Sequence, residues 1–385
     1  MSDPTRSNVG AFVRRAWSRL LLGSVGLPAL SVLVAIVIGA VMMVLMGFDP
    51  LQAYAALWQG AFGNVIQISE TLKTATPLLL CGLGISFAFQ AGAFNIGAVG
   101  QMYAGALAAV IVGGLFPDMP APLHIGLSTL AAFVAGGLWA LAPALLKVYL
   151  GANEIISTIL LNYIGIYLVD YMISGPIKIG EHRDAPTSWP VADSAVYPKL
   201  IPHTQLHLGL LIALAAMIVL FIVMRYTTLG HRVRIVGQNP VAARHAGIRS
   251  DRVFLLAFFF SGSLAGLAGA SEILGYMTHL ISGFAPNTGY DAIAVALLGG
   301  FQPFVVGLAA LFFAGLQTGA IAMEAVARLP AQLVGMIRVL AILAVLAASS
   351  PRIVELANRS RLAKPELPAA SPPPPIPAVE TPEVP

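Results

Sequence analysis

From Leu20 onward, stretches of about 20 apolar residues with few charges recur along nearly the whole chain, each long enough to cross a hydrocarbon core of roughly 30 Å. That recurrence leaves little choice of architecture, because backbone polar groups inside a bilayer must be satisfied within a helix or around a closed barrel. Hydrophobic residues make up 58% of the sequence and charged residues 10%, against roughly a quarter charged in ordinary globular chains. The chain therefore reads as an all-α polytopic membrane protein. Crossings are expected near 20–47, 76–93, 96–116, 123–148, 155–174, 207–224, 254–276, 289–300, 304–325 and 331–349, about ten transmembrane helices in all. Arg14 and Arg15 ahead of the first run also suit a secretory or twin-arginine signal. That run, however, exceeds a signal core of roughly 7–15 residues and no small-x-small site closes it, so it reads as the first membrane helix.

Charge orients the spans. Arg6, Arg14, Arg15, Arg19, Lys147, Arg225, Arg232, Arg234, Arg244, Arg249, Arg252, Arg352, Arg359, Arg361 and Lys364 fall on one side, whereas Lys73, Lys178, Arg183, Lys199 and Arg328 fall on the other. This imbalance predicts a multi-pass protein of the cytoplasmic (inner) membrane with both termini in the cytoplasm. Residues 1–19 are then a cytoplasmic N-terminal segment, 20–350 the transmembrane domain, 175–206 an outer loop, 225–253 a cytoplasmic loop, and 351–385 a Pro-rich cytoplasmic tail expected to be disordered. The net charge of +4 follows from this topology and implies no nucleic-acid partner. The single Cys81 can form no internal disulfide. The outer loop either receives something delivered to that face or merely joins two helices.

The stretch GQNPVAARHAGIRSDR, Gly237 to Arg252, is short, cationic and capped. Asn239 suits an N-cap, Pro240 the first helical position, Ala242 and Ala243 the helix itself, and Gly247 a left-handed stop. A helix of two turns is marginal alone in water, so packing against its own chain or a partner must hold it. A basic loop obeying the topology rule would account for the charge but not for the caps.

Polar groups interrupt other spans. FQAGAFNIGAVGQ from Phe89 carries Gln90, Asn95 and Gln101 among glycines, and ALLGGFQP from Ala296 to Pro303 forms a second interruption. Breaks in both halves suggest an inverted repeat of about five spans each, while each glycine taken singly also fits close helix packing. Asn162, with Tyr163 and Tyr167 beside it, can bond either a solute or a neighbouring helix. Glu272, Asp291, Glu324 and Arg338 are ionisable groups that cost about 2.5–3.5 kcal/mol each at the bilayer centre. Candidates for a path through the membrane are Phe94, Asn95, Gln101, Asn162, Tyr163, Tyr167 and Arg338. The sequence carries no GxxxxGK[ST] and no GxSxG, and its His and Cys residues lack metal-ligand spacing. His203 and His207, four apart, could share a helix face but lack the glutamate of HExxH. No catalytic residue, metal or cofactor is therefore expected on this chain.

Four segments in order, AFNIGAVGQMYAGALAA from Ala93, NEIISTILLNYI from Asn153, GQNPVAARHAGI from Gly237 and GYDAIAVALLGG from Gly289, resemble the permease subunits of ABC importers. The branch is that for branched-chain amino acids, simple sugars and nucleosides, in its nucleoside-type members, and the resemblance covers about residues 60–350. Val99 departs from the pattern, which has an acidic residue there. The resemblance implies a transport subunit, not an enzyme, that moves a small polar solute, a nucleoside before a sugar or purine base, into the cytoplasm by alternating access. It implies that the helix Asn239–Gly247, including Pro240, Ala242, Ala243 and Arg244, docks into a separate ABC ATPase that binds ATP and Mg. It further implies a second permease subunit of different sequence, an extracytoplasmic solute-binding protein and a surround of membrane lipid. An ion-coupled secondary transporter acting without an ATPase, with Glu272, Asp291 or Arg338 as coupling groups, suits the broken helices equally well, but leaves the capped helix and the ordered segments unexplained.

Overall fold

The computed structural model describes residues 26–179, 186–285 and 287–348. The expected N-terminal segment 1–19, the tail 351–385 and the side chain of Arg338 lie outside the described residues. Within them the chain forms thirteen α-helices: α1 Gly26–Leu45, α2 Pro50–Phe62, α3 Val65–Gln90, α4 Ala98–Leu115, α5 Ala121–Leu150, α6 Glu154–Ser174, α7 Gly209–Tyr226, α8 Thr228–Gln238, α9 Pro240–His245, α10 Ser250–Glu272, α11 Thr288–Leu298, α12 Pro303–Ala327 and α13 Ala331–Ala348. A π-helical turn, Ile273–Met277, extends α10. The protein is a multi-pass, all-α membrane protein.

Among the described residues, seven helices are long and apolar enough to span a bilayer: α3 to α7, α10 with its π turn, and α12. Shorter apolar helices accompany these seven, in keeping with a polytopic bundle of about ten, and one expected crossing is shorter than the sequence suggests. The stretch 289–300 contributes only the 11 residues of α11, about 16 Å at 1.5 Å per residue, half a crossing. α1 and α13 pair with each other, with Met43, Val334 and Ile337 buried in a shared cluster. The expected start of the second crossing at residue 76 also moves. α3 begins at Val65, where Asn64 caps it by accepting from the N–H groups of Ile66 and Gln67 at 2.9 and 3.1 Å. Glu70 and Lys73 depress local hydropathy there without ending the helix.

α3 and α10 form the centre. Residues Ala75 to Ala88 of α3 are buried without a break. Small residues on α10 let its neighbours approach backbone to backbone, which is how helices hold together where lipid removes the hydrophobic drive between them. A Cβ on Gly266 would stand 2.2 Å from the Ala132 carbonyl oxygen of α5, and one on Gly105 of α4 would stand 2.4 Å from the Gly266 Cα.

The described part of the 175–206 loop is folded onto the helix ends. The N–H groups of Val191 and Tyr197 donate to the carbonyls of Thr278 and Leu274 at 2.8 and 2.7 Å, and that of Ala192 donates to Gly113 at 2.7 Å. His203 and His207 do not share a helix face. His203 sits exposed in a turn with φ 61°, while His207 is buried beside α7 and accepts from the Gly209 N–H at 3.1 Å. Burial, and then the Lys199 and Lys73 cations, push His207 down to about 4 from 6.5. Because folding lowers this pKa, its contribution to stability is complete above about pH 6.5 and is lost as pH falls towards about 4. Thermal unfolding of the detergent-purified chain should show that acid decline, and His207→Gln should flatten it.

Candidate functional site

The capped stretch forms α9. The Asn239 side chain accepts from the N–H groups of Val241 and Ala242 at 3.0 and 2.9 Å, Pro240 fills the first turn, and Gly247 adopts φ +76° just past the end. Ala243 is fully buried against the chain, whereas Val241, Ala242, Arg244 and His245 face outward. Val241 leaves 58% of its surface exposed, an apolar tip on a basic helix. The eleven residues of α8 form a second helix as the stem. Thr227 caps it through the Gly230 N–H at 3.3 Å, and Val233 and Val236 are buried.

That stem meets the break between α3 and α4. A Cβ on Gly237 would lie 2.1 Å from the Gln90 carbonyl oxygen and 3.0 Å from the Gly92 nitrogen, so only glycine permits this approach. The second interrupted stretch, the turn between α11 and α12, arrives at the same place. Gln90 Nε2 donates to the Phe301 carbonyl at 2.8 Å, and the rings of Phe89 and Phe301 stand 5.6 Å apart. Both breaks thus adjoin the stem of α9.

Within the break, Asn95 and Gln101 exchange hydrogen bonds at 3.0 and 2.9 Å, and Asn95 also donates to Ser261 Oγ at 2.9 Å. Asn162 of α6 completes the start of α4. The first N–H groups of a helix lack internal partners, and Asn162 Oδ1 accepts from Gly100 N–H at 2.8 Å while its Nδ2 donates to the Ile96 carbonyl at 3.0 Å. All three amides are buried, whereas Phe94, Tyr163 and Tyr167 are at least half exposed. Asn162→Leu leaves a buried N–H and C=O unpaired, at about 1–3 kcal/mol for each. Thermal unfolding in detergent should fall by several degrees for this variant and stay near the wild type for Tyr167→Leu.

A polar cavity of about 280 Å³ opens near the other end of α3, between α3, α10, α11 and α12. Its lining includes Lys73, Glu272, Tyr276, Phe284, Asp291 and Gln317. Lys73 pairs with Glu70 and lies 4.5 Å from the centroid of the Tyr276 ring. The Tyr276 hydroxyl donates to Glu272 at 3.0 Å, and Gln317 donates to Asp291 at 2.9 Å. The folded 186–206 segment stands close by, with Lys199 donating to the Gly275 carbonyl at 2.8 Å. The π turn falls here, in keeping with the tendency of such turns to mark functional sites.

The family model described as branched-chain amino acid transport system / permease component matches residues 67–346. The chain belongs to that family. The permease is 36% identical over 331 residues to the guanosine ABC transporter permease protein NupP of Bacillus subtilis, covering 85% of this chain and 94% of the relative. It is 38% identical over 328 residues to the glucose ABC transporter permease protein TsgB13 of Haloferax volcanii, covering 83% and 86%. It is 35% identical over 301 residues to the nucleoside ABC transporter permease protein NupB of Lactococcus lactis, covering 76% and 83%. No solved structure matches the permease.

Sequence reasoning missed Val241, the α8 stem and the meeting of Gly237 with Gln90. The stem carried a signal, since Thr227 precedes Leu229, Val233 and Val236 at helical spacing. The cavity carried only half of one. Glu272 and Asp291 stand out as costly groups in apolar runs, but nothing in their spacing brings Lys73 and Gln317 to them.

Proposed function

We propose that this permease is the membrane-spanning subunit of an ATP-driven ABC importer that carries a nucleoside into the cytoplasm by alternating access. The observation that carries the reading is α9, a capped, outward-facing helix with an exposed apolar tip, whose stem adjoins both helix breaks. A capped helix moves as a rigid body, so closure of an ATPase around it displaces the stem and shifts the breaks between two arrangements. ATP and Mg belong to that separate ATPase, for which α9 with Asn239, Pro240, Ala242, Ala243, Arg244 and Gly247 is the docking element. The α8–α9 end and both termini are cytoplasmic, as the arginine distribution favours. A solute-binding protein delivers to the opposite face, over the 186–206 segment. A second permease chain of different sequence completes the pore.

The cavity supports a nucleoside in particular. Carboxylates such as Glu272 and Asp291 accept from sugar hydroxyls, and Tyr276 and Phe284 offer ring faces for a base. The glucose permease among the relatives favours a sugar as the second reading. Deleting the chain from its native host and restoring it, with labelled guanosine and glucose uptake as the readout, separates these. Loss and recovery of guanosine uptake alone is expected. Unchanged guanosine uptake with lost glucose uptake replaces the solute, and uptake that resists ATP depletion yet collapses with the ion gradient overturns the importer reading.

A further inference from the structure

The geometry points to a binding site for the headgroup of an anionic phospholipid at the α8–α9 end of the protein. A cavity of about 450 Å³ lies between the last turn of α7, the α8 stem and the α11–α12 turn. Arg225, Arg234, Gln90 and Gln302 line its polar part, and Phe221 and Phe304 its apolar part, their rings 5.0 Å apart. No acidic side chain is among its lining residues, and neither arginine has a carboxylate ion-pair partner among the described residues. Two guanidiniums held at one cavity without a counter-charge repel each other and gain from an anion. Arginine also suits a phosphate above other anions, because its fork of N–H donors matches phosphate oxygens two at a time.

The surroundings select a lipid over a free ion. Phe304 is 48% exposed, and exposed apolar side chains continue from it along α12 at Val305 and Leu308 and along α7 at Ile222 and Ile218. A diacyl chain has somewhere to lie; inorganic phosphate has no use for those side chains. Arg225 falls in the last turn of a membrane-spanning helix, the depth at which basic pockets between helices take anionic headgroups. The site is independent of which solute the permease carries. It adjoins the Gln90–Phe301 contact, so an occupied site braces the same junction that the docking helix works on.

The test uses the full chain purified in dodecyl maltoside, titrated with phosphatidylglycerol, phosphatidylcholine or inorganic phosphate and followed by native mass spectrometry and thermal unfolding. Phosphatidylglycerol is expected to bind and raise the unfolding temperature, whereas phosphatidylcholine and phosphate at matched ionic strength do neither. The double variant Arg225→Gln/Arg234→Gln is expected to bind phosphatidylglycerol about thirty-fold more weakly, and Arg232→Gln, on the exposed side of α8, as the wild type does. Should the glutamine pair fail to fold, Arg225→Lys/Arg234→Lys keeps the charge, removes the fork and should give an intermediate loss. Equal phosphatidylglycerol binding by wild type and double variant overturns the proposal. So does equal stabilisation by phosphate, which would make this a free-anion site. Loss of ATPase copurification with unchanged lipid binding would assign the cavity to the partner protein.

Discussion

Val241→Glu is expected to strip the ATPase from the detergent-purified complex, weakening their association by more than about thirty-fold, and to reduce ATP-driven uptake in proportion. The substitution is chosen for what it leaves intact. Val241 packs little against its own chain, and a glutamate one residue inside the Pro240 start of a helix favours the helix dipole. The variant should therefore unfold at the wild-type temperature. In a partner cleft the same glutamate replaces an apolar anchor and brings an uncompensated charge into a desolvated contact. Ala243 would make a poor test, because it is fully buried against the permease and a glutamate there damages the helix seat itself. Copurification of a normal amount of ATPase with folded Val241→Glu would remove α9 from the docking role.

Glu272→Gln is expected to lower uptake by at least about tenfold while leaving thermal stability equal to or above that of the wild type. The two readouts should separate because a carboxylate in a membrane span costs about 2.5–3.5 kcal/mol when centred. Neutralising it relieves that cost, and the Tyr276 hydroxyl still finds an amide oxygen to donate to. A group kept for folding would behave the other way, with stability falling and uptake following it. Normal uptake by a normally expressed Glu272→Gln protein would show that the cavity does not handle solute. Uptake measured beside thermal unfolding on one preparation decides the matter.

The two substitutions probe features of different legibility. The caps of α9 were readable from Asn239, Pro240 and Gly247 alone, because a cap depends on a few adjacent backbone groups. Long spans such as α5 and α7 were readable for a similar reason, since a bilayer imposes its length on any run it contains. α11 was not, because length is the only membrane signal and its apolar residues run on through Gly299 and Gly300 into the next turn. The amides Asn95, Gln101 and Asn162 stood out, yet their partners did not. Asn162 serves a helix start more than sixty residues away, at Gly100, and no local pattern encodes that pairing. The cavity gathers side chains from α3, α10, α11 and α12, so its composition is a property of the packing.

The contact between Gly237 and the end of α3 bears on the direction of force. It is a meeting of two bare backbones, with no side chain to compress and no hydrogen bond joining Gly237 to Gln90 or Gly92. Such a contact resists approach steeply and separation hardly at all, since each atom pair contributes only about 0.1–0.2 kcal/mol of attraction. At this contact the stem can therefore push on the break more readily than pull it, while Val233 and Val236, buried in one cluster with Phe87 and Ala91, also tie the stem to the end of α3. Under the proposed docking role, a push arriving through this point meets almost no slack, whereas the return draws on the apolar packing around it.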